Sequence, residues 1–323
     1  MRGEGIFKVG VMKLRVLSWN VRGTNDREKR KVIKALIKGQ KVDLVCLQET
    51  KMQEMSGMIV RSLGVGRCLD WKVLNSRGAS GGVLVFWDKR VLQLLEAEVG
   101  NFSVSCKFKS YEDNLCWIFS GVYGPLLKKE MEDFWAELGA VRALWSDLLC
   151  VAGDFNVVRF PVESSRGGRL SFSMRRFSEI IEDLELRDLS LQGGSFTWKG
   201  GLNNQSHSRL DRFLVSNEWE DHFSGTVQCV LPKPVSDHFP ILLDGGGVWS
   251  GLMPFRFENM WLKEEGFKEK VQEWWVGLNF SGFASFVLTS KLKALKPLLR
   301  NWNKLEFGKV EVNKVLALNK ADF

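Results

Sequence analysis

The sequence lacks the features that would anchor it in a membrane, export it or build it around zinc. None of its apolar runs reaches the roughly 18 residues that a transmembrane helix needs, and its first residues contain no continuous apolar stretch of the secretory type. Its six cysteines are scattered without a CxxC pair, which favours reduced, buried thiols over disulfides or a zinc site. We therefore expect a soluble protein of the nucleus or cytoplasm that is not secreted and has no membrane partner.

The composition is that of a folded protein with an anionic partner. Hydrophobic residues make up 45% and charged residues 26% of the 323-residue chain. These fractions provide enough apolar material for a large core and argue against disorder. The formal net charge is +8, and an excess of positive charge favours binding to anions, nucleic acid first among them.

Short apolar runs alternate with helical segments through about residue 243, which predicts an α/β fold. Residues 15–20 and 42–48 have the pattern of strands, and a helical period follows Asp26. Helical periodicity returns at 132–145 and 173–189. Strands and helices that interleave in this way favour a layered arrangement over an all-β one.

A glycine-rich stretch marks the clearest change in composition, and we place a domain boundary there. The predicted organisation is a first domain at residues 13–243, a glycine-rich linker at 244–257 and a basic helical segment at 258–323. No internal repeat or low-complexity tract interrupts this order.

Beyond the linker, residues 257–275 and 286–302 have the pattern of two helices. Apolar residues repeat at helical spacing, so this face should pack against another surface; they are Leu288, Leu292, Leu295, Leu299 and Trp302. Pro297 lies inside the second pattern and predicts a kinked or split helix.

Six apolar runs carry polar residues at their ends. They are VLSWN (Asn20), LVCLQE (Glu49), IFSGVY (Tyr123), LCVAGDFN (Asp154 and Asn156), SRLDRFLV (Asp211) and VSDHFPILL (Asp237 and His238). A buried strand needs apolar residues along its length, whereas a polar residue at its end can emerge into a cleft. Six such runs in succession predict that strand ends converge on one site, and this convergence indicates an enzyme.

These residue types match the needs of phosphodiester hydrolysis, which requires neutralised phosphate charge, a positioned water and a stabilised leaving group. Glu49 at a strand end suits a hard divalent cation such as Mg²⁺. Asp154 and Asn156 alternate, so both can face one side of an extended segment, where a carboxylate can deprotonate water and an amide can hold a phosphate oxygen. His238 as an imidazolium can donate to a phosphoryl oxygen.

Tyr123 and Asn20 add neutral hydrogen-bond donors, but each motif alone also has a structural interpretation. A glutamate that ends a strand often lies at the surface, and Gly-Asp-Phe-Asn is a common turn pattern. Ser-Asp-His can cap a helix. His207 and His222 have no comparable setting, and we interpret them as structural or exposed.

Taken together, the motifs resemble those of a known superfamily. WNVRG, LQETK, GVYGP, GDFNVV, SRLDRFLVS and SDHFPILL, in this order, resemble the exonuclease–endonuclease–phosphatase superfamily. With the flanks GASGGVLVFWDKR, GGSFTWKGGLNNQS and PFRFENMWLKEEGFKEKV, they resemble more closely the apurinic-type endonuclease domain that opens the polyprotein of plant LINE-type, non-LTR retrotransposons. The resemblance covers about residues 13–323.

The resemblance implies a role for each matching residue around the phosphate. Asn20 would help to place the scissile phosphate, and Tyr123 would contact it. Asp154 would activate the attacking water, with Asn156 as its partner.

The resemblance also implies that His238 is oriented by a carboxylate, that of Asp211. Thr197 and Ser236 match positions that give supporting contacts to the phosphate or to neighbouring groups.

For the metal ion, the resemblance implies Glu49 as a ligand. Asp237 corresponds to an aspartate that either binds metal or protonates the leaving group. Arg22 is a departure, because repair members of the family have an acid at this position, although retrotransposon relatives also lack it; the resemblance therefore implies no metal ligand from residue 22.

The fold implied is a four-layer α/β sandwich, two face-to-face sheets with helices outside, followed by a C-terminal helical extension. The activity implied is a Mg²⁺-dependent DNA endonuclease, with Mn²⁺ as a substitute, that nicks one strand and leaves a 3′-hydroxyl and a 5′-phosphate. The resemblance further implies a chain truncated before the reverse transcriptase. Two alternatives remain open: a phosphoesterase acting on phosphoinositides, sphingomyelin or RNA, and an inactive nucleic-acid-binding remnant.

Overall fold

The computed structural model describes residues 14–78, 80–201, 205–223, 225–245, 262 and 266–302. The chain divides into two compact units, residues 1–249 and 250–323. Most of the predicted linker, from residue 246 onward, lies outside the described residues. The same holds for residues 258–261, 263–265 and 303–323 of the predicted C-terminal segment.

Strands and helices interleave in the described part of the first unit. The strands are β1 (Arg15–Asn20), β2 (Leu44–Gln48), β3 (Leu69–Leu74), β4 (Val83–Asp88), β5 (Leu92–Val99), β6 (Ser103–Ser110), β7 (Cys116–Tyr123), β8 (Leu148–Asp154), β9 (Leu186–Asp188), β10 (Leu191–Gln192), β11 (Trp198–Gly200), β12 (Ser206–Ser208), β13 (Asp211–Ser216), β14 (Val227–Val230) and β15 (Ile241–Asp244). The helices are α1 (Arg27–Gln40), α2 (Gly57–Leu63), α3 (Met131–Leu144), α4 (Phe172–Asp183) and α5 (Trp219–His222), with 3₁₀ turns at Lys128–Glu130 and Pro161–Glu163.

The described strands form two large sheets and one short hairpin. One sheet has the order β10-β14-β15-β1-β2-β4-β3, the other has the order β5-β6-β7-β8-β13-β9, and β11 pairs with β12. In each large sheet a helix connects two neighbouring parallel strands: α1 lies between β1 and β2, and α3 between β7 and β8. Parallel pairing requires such a crossover, and the helices therefore cover the outer faces.

The two sheets pack face to face, with helices outside. Residues from both sheets, among them Val85 and Phe119, share one buried apolar cluster between the sheets. Outside the first sheet, Ile33 of α1 and Val60 of α2 belong to a second cluster. Outside the other sheet, α3 and α4 contribute to a third, which includes Phe177. The result is a four-layer α/β/β/α arrangement, and the predicted fold class is confirmed.

The second unit contains two described helices that pack on each other. They are α6 (Phe267–Gly277) and α7 (Ala284–Trp302), and the rings of Phe267 and Trp302 lie 4.5 Å apart. The helical extension is thus present. The predicted apolar stripe is buried only in its second half, because Leu288 and Leu292 are about half exposed while Leu295 and Leu299 are buried. Helix α7 runs through Pro297 without a break, so the predicted split does not occur.

One helix is shorter than its periodicity predicts. The pattern at 173–189 indicates a single helix, but α4 ends at Asp183 and β9 begins at Leu186. Glu185 between them has a φ of 53°, a left-handed backbone that cannot continue a right-handed helix. In the described part of the chain, no helix has the length and apolar character needed to cross a membrane.

Gly153 allows β8 to approach β7 closely, one residue before Asp154. A Cβ atom at this position would lie 1.9 Å from the carbonyl oxygen of Val122. Because that contact involves backbone, which cannot rotate away, any larger residue would push the two strands apart.

We expect Gly153→Ala to lower the free energy of unfolding by about 1–3 kcal/mol, the usual cost of an overpacked core position. Gly139→Ala is the matched control, since a Cβ atom there meets nothing within 4 Å and a helical alanine is up to about 1 kcal/mol more favourable than glycine. Urea unfolding followed by circular dichroism measures both. Equal stabilities for the two variants would contradict the close approach of β7 and β8.

Candidate active site

Because side chains alternate between the two faces of a strand, two polar side chains from opposite sheets face each other. Side chains two apart along a strand share a face. Val16 of β1 and Ala152 of β8 both lie in the cluster between the sheets, so Asn20 and Asp154 face the same interior at their strand ends. Asn20 Nδ2 donates to Asp154 Oδ2 across 2.8 Å. This bond joins the two sheets at one edge.

Asp154 has polar neighbours on both sides within its own sheet. Tyr123 is opposite it on the parallel strand β7, and Asp211 is opposite it on the antiparallel strand β13. Asp211 is the first residue of its strand, and Asp237 and His238 precede β15. The sequence pattern predicts that every one of these polar residues lies at the end of a strand. In the structure β13 and β15 run antiparallel to β8 and β1, so the beginnings of β13 and β15 lie at the same edge as the ends of β8 and β1.

His238 lies between two buried carboxylates. Its Nδ1 is 2.9 Å from Asp211 Oδ2 and its Nε2 is 3.7 Å from Asp154 Oδ2. Burial lowers the pKa of His238, but the charges of Asp211 and Asp154 outweigh it and raise the pKa to about 9. His238 is therefore an imidazolium at neutral pH, and its Nδ1–H donates to Asp211.

Asp154 has the proton affinity of a base that works near neutral pH. Burial and the charge of Asp211 raise its pKa to about 6, against the opposing effects of His238 and the Asn20 hydrogen bond. Its second oxygen, Oδ1, accepts from the backbone N–H of Asn156 at 3.0 Å. Both carboxylate oxygens are thus held in place, so the group has a fixed orientation at this edge of the sheets.

Asn156 reaches the site through a turn and not through strand alternation. β8 ends at Asp154, and Asn156 has a left-handed φ of 53°. Its Nδ2 donates to the carbonyl oxygen of Gly124 at 2.7 Å, which ties the chain after β8 to the chain after Tyr123. Burial, followed by the charges of Glu49 and Asp154, raises the pKa of Tyr123, so its hydroxyl keeps the proton that it can donate.

Thr197 and Ser236 hold the backbone around the charged groups. Thr197 Oγ1 accepts from the N–H groups of Leu210 and Asp211, both at 2.9 Å. Ser236 Oγ donates to the carbonyl oxygen of Asn20 at 2.8 Å and accepts from the N–H of His238 at 3.2 Å. These contacts position neighbouring residues.

A second group of charges lies at the same edge. Glu49 follows β2 with a left-handed φ of 52°, and its oxygens lie 3.0 Å from Lys51 Nζ and 3.7 Å from Arg22 Nε. Asp237 Oδ2 accepts from Arg22 Nη1 at 2.5 Å and from Trp198 Nε1 at 2.9 Å. Arg22 therefore connects the two carboxylates.

Two sets of side chains could hold a metal ion. Asp154, Asp211 and His238 offer ligand atoms within 4.8 Å of one another, but an imidazolium has no lone pair to give and its Nδ1 already bonds Asp211. Glu49 and Asp237 offer only oxygens, which hard cations prefer. Burial raises the pKa of Asp237, but the Trp198 hydrogen bond and the charges of His238 and Arg22 lower it below its usual value, so this carboxylate is ionised. The oxygen pair fits a divalent cation better.

Sequence reasoning missed three residues that complete this second group: Arg22, Lys51 and Trp198. They lie inside the segments WNVRG, LQETK and GGSFTWKGGLNNQS, respectively. The resemblance indicates Arg22 only as a departure from the family pattern. Their contacts join segments far apart in the chain, which a local pattern does not indicate.

A buried ionic network behind Asp211 was missed as well. Arg212 is fully buried; its Nη1 donates to Glu163 Oε1 at 2.9 Å and to Asp188 Oδ2 at 2.6 Å. Glu163 also accepts from the N–H of Arg159 at 2.7 Å. The network fastens the segment after β8 to the beginning of β13, the two places from which Asn156 and Asp211 project.

The chain is similar to a known protein family and to solved structures. The family model described as Endonuclease/Exonuclease/phosphatase family matches residues 17–238. One similar solved structure is the AP endonuclease LMAP from Leishmania major, with 18% identity, 71% of this chain and 86% of that chain covered, and a TM-score of 0.57. A second is the endonuclease domain of TRAS1, a telomere-specific non-LTR retrotransposon, with 16% identity, 72% of this chain and 97% of that chain covered, and a TM-score of 0.56. A third is the APE2 catalytic domain from Xenopus laevis, with 17% identity, 71% of this chain and 91% of that chain covered, and a TM-score of 0.54. At these identities the likeness shows the fold. No curated protein sequence matches the chain.

We expect the pKa of His238, measured from the pH dependence of its Cε1–H chemical shift in metal-free protein, to lie near 9. Asp211→Asn should lower this pKa well below that value, because it removes the charge that raises it most. Asp113→Asn is the control: it alters the partner of another histidine, His222, at 3.0 Å, and should leave His238 unchanged. An unchanged His238 titration in Asp211→Asn would contradict the pairing.

Proposed function

The chain belongs to the endonuclease/exonuclease/phosphatase family, and on that basis we propose that it is a divalent-metal-dependent DNA endonuclease that nicks one strand, leaving a 3′-hydroxyl and a 5′-phosphate. The observation that carries the proposal is the buried Asp154 carboxylate, held by Asn20 from the opposite sheet and adjacent to the His238 imidazolium. A base and a cationic donor side by side are what in-line attack of water on a phosphodiester requires.

In this proposal Asp154 orients the attacking water and takes its proton, and Asn20 and the backbone of Asn156 keep the carboxylate in place. His238 donates from Nε2 to a phosphoryl oxygen, where negative charge develops during attack. Asp211 keeps the imidazole protonated and fixes the orientation of the ring through its bond to Nδ1.

Tyr123 contributes a neutral hydroxyl that donates to the phosphate. It borders a cavity of about 880 Å³ that is also lined by Arg77, Asn101 and Leu126. A cavity of this size, with cationic, amide and apolar walls, is suited to a nucleotide next to the scissile phosphate.

Glu49 and Asp237 would hold the metal ion, with Mg²⁺ as the physiological ion and Mn²⁺ as a substitute. When bound, the cation would neutralise charge on the phosphate and on the leaving 3′-oxygen, which would then take a proton from solvent to become the hydroxyl. The lowered pKa of Asp237 favours its role as an anionic ligand over that of an acid that protonates the leaving group.

DNA is the proposed substrate because positive side chains surround the acidic centre. Lys29 Nζ lies 3.1 Å from the carbonyl oxygen of Arg22, and Lys233 Nζ lies 3.2 Å from that of Asp237. Together with the net charge of +8, these groups favour a polyanion over a small phosphoester. The motif set and its flanks further support assignment to the polyprotein of a plant LINE-type retrotransposon, where a nick would provide a primer for DNA synthesis.

The metal assignment predicts that nicking of supercoiled plasmid requires Mg²⁺ and stops in EDTA. Glu49→Gln should lose at least about 10²-fold in rate, the usual effect of removing an electrostatic group at a reacting phosphate. Glu54→Gln, an exposed glutamate nearby, should nick like the unchanged protein. Full activity of Glu49→Gln would overturn the assignment.

The same assay tests the proposed ends and substrate. Nicks that DNA ligase reseals would support the proposed ends, and hydrolysis of other phosphoesters but not DNA would overturn the proposed substrate.

The proton-transfer assignment predicts that Asp154→Asn and His238→Ala each slow nicking by roughly 10²–10⁴-fold, with little change in DNA affinity. Asp211→Asn should act through His238, so the double variant with His238→Ala should be about as slow as His238→Ala alone. Asp113→Asn, which alters the other His–Asp pair, serves as the control. Simple multiplication of the two effects would show that Asp211 and His238 act independently.

A further inference from the structure

Arg22 occupies an unusual position for a cation, on the two carboxylates proposed to bind metal. Its Nη1 lies 2.5 Å from Asp237 Oδ2 and its Nε lies 3.7 Å from Glu49 Oε2. Its side chain is half exposed, whereas those of Glu49 and Asp237 are 10% and 19% exposed. The guanidinium thus covers two largely buried carboxylates from the solvent side.

The backbone holds Arg22 in this position. Its φ is 49°, a left-handed conformation that is uncommon in residues other than glycine and asparagine. Its N–H donates to Asn20 Oδ1 at 3.1 Å, and its carbonyl oxygen accepts from Lys29 Nζ at 3.1 Å. Because the turn is fixed at both ends, the side chain is directed over the carboxylates by local structure.

A divalent cation and Arg22 would compete for the same oxygens. Mg²⁺ binds carboxylate oxygens at about 2.1 Å and demands near-octahedral geometry. Asp237 Oδ2 and Glu49 Oε2 face the guanidinium, whereas Glu49 Oε1 lies 3.0 Å from Lys51 Nζ. A cation bound to Asp237 Oδ2 or Glu49 Oε2 would therefore have to displace Arg22. We infer that Arg22 is a built-in counterion for Glu49 and Asp237, displaced when the metal binds and then free to bind a DNA phosphate.

This exchange rests on the proposed metal roles of Glu49 and Asp237 and gives Arg22 two opposite effects. Before metal binding it neutralises the carboxylates and so weakens their affinity for the cation. After displacement its planar fork can pair with a phosphate. Metal and DNA then strengthen each other's binding by an equal factor, as linkage requires.

The test measures Mn²⁺ affinity by electron paramagnetic resonance in the absence of DNA. Arg22→Gln should bind Mn²⁺ about three- to tenfold more tightly, as expected from the loss of two partly exposed competing ion pairs. Arg22→Lys keeps the charge but replaces the separate Nη1 and Nε donors of the guanidinium by one ammonium, and should fall between. Lys31→Gln is the control, since it removes an exposed positive charge of α1 whose ion pair is with Glu28, and it should change the affinity less than Arg22→Gln does.

The second measurement is DNA affinity by fluorescence anisotropy, with Ca²⁺ in place of Mg²⁺. Arg22→Gln should weaken DNA binding about three- to tenfold, the value of one lost phosphate contact at moderate salt, although it binds metal more tightly. A residue with only a structural role would not move the two affinities in opposite directions.

Each failure has a distinct meaning. If both Arg22 variants bind Mn²⁺ no more tightly than the unchanged protein, the counterion role is overturned while the metal site stands. If Glu49→Gln binds Mn²⁺ as tightly as the unchanged protein, the proposed metal ligands are wrong and the inference falls with them. If Arg22→Gln binds metal more tightly and DNA equally well, the transfer to phosphate is overturned.

Discussion

The imidazolium of His238 between two buried carboxylates is the interaction on which the rest of the site depends. Asp154 and Asp211 are at most 1% exposed, and carboxylates so far from water stay ionised together only when a positive charge lies beside them. Among the described residues, Asp211 Oδ1 has no hydrogen-bond partner, so the attraction to His238 is the main compensation for its burial. Without that charge, nothing from His238 would oppose the burial and the repulsion from Asp211 that raise the pKa of Asp154, and Asp154 would hold a proton more readily.

The two sheets must be packed at the correct distance for this interaction to form. Asp154 and Asp211 project from one sheet, while His238 is attached to the other through Trp19, whose Nε1 donates to the His238 carbonyl oxygen at 3.0 Å. The apolar cluster between the sheets therefore sets the distance between the imidazole and the carboxylates. Large side chains in that cluster, such as Phe119, contribute to the geometry of the site as well as to stability. The packing of the core therefore also fixes the geometry of the site.

The sequence predicts which faces of the strands are buried, but not the direction in which a strand runs. Apolar patterning was sufficient for the two-sheet fold and for the expectation that polar residues converge. It could not indicate that β13 runs antiparallel to β8, which is what brings Asp211, at the beginning of its strand, opposite Asp154. It also misjudged Asn156, since a left-handed turn after Asp154 replaces the expected alternation. The bridge from Arg22 to Asp237 joins residues 215 positions apart, and no local pattern reports such a contact.

Burial explains why His238 and Arg22 would behave differently. The His238 side chain is 6% exposed and the Arg22 side chain is 50% exposed, although each lies on two carboxylates. A charge buried in low dielectric interacts strongly with its partners and cannot leave without a large cost, whereas a half-exposed ion pair is screened by water and contributes little. His238 is therefore a permanent part of the charge balance around Asp154. Arg22 stabilises its carboxylates only weakly, which is the property that a replaceable counterion needs.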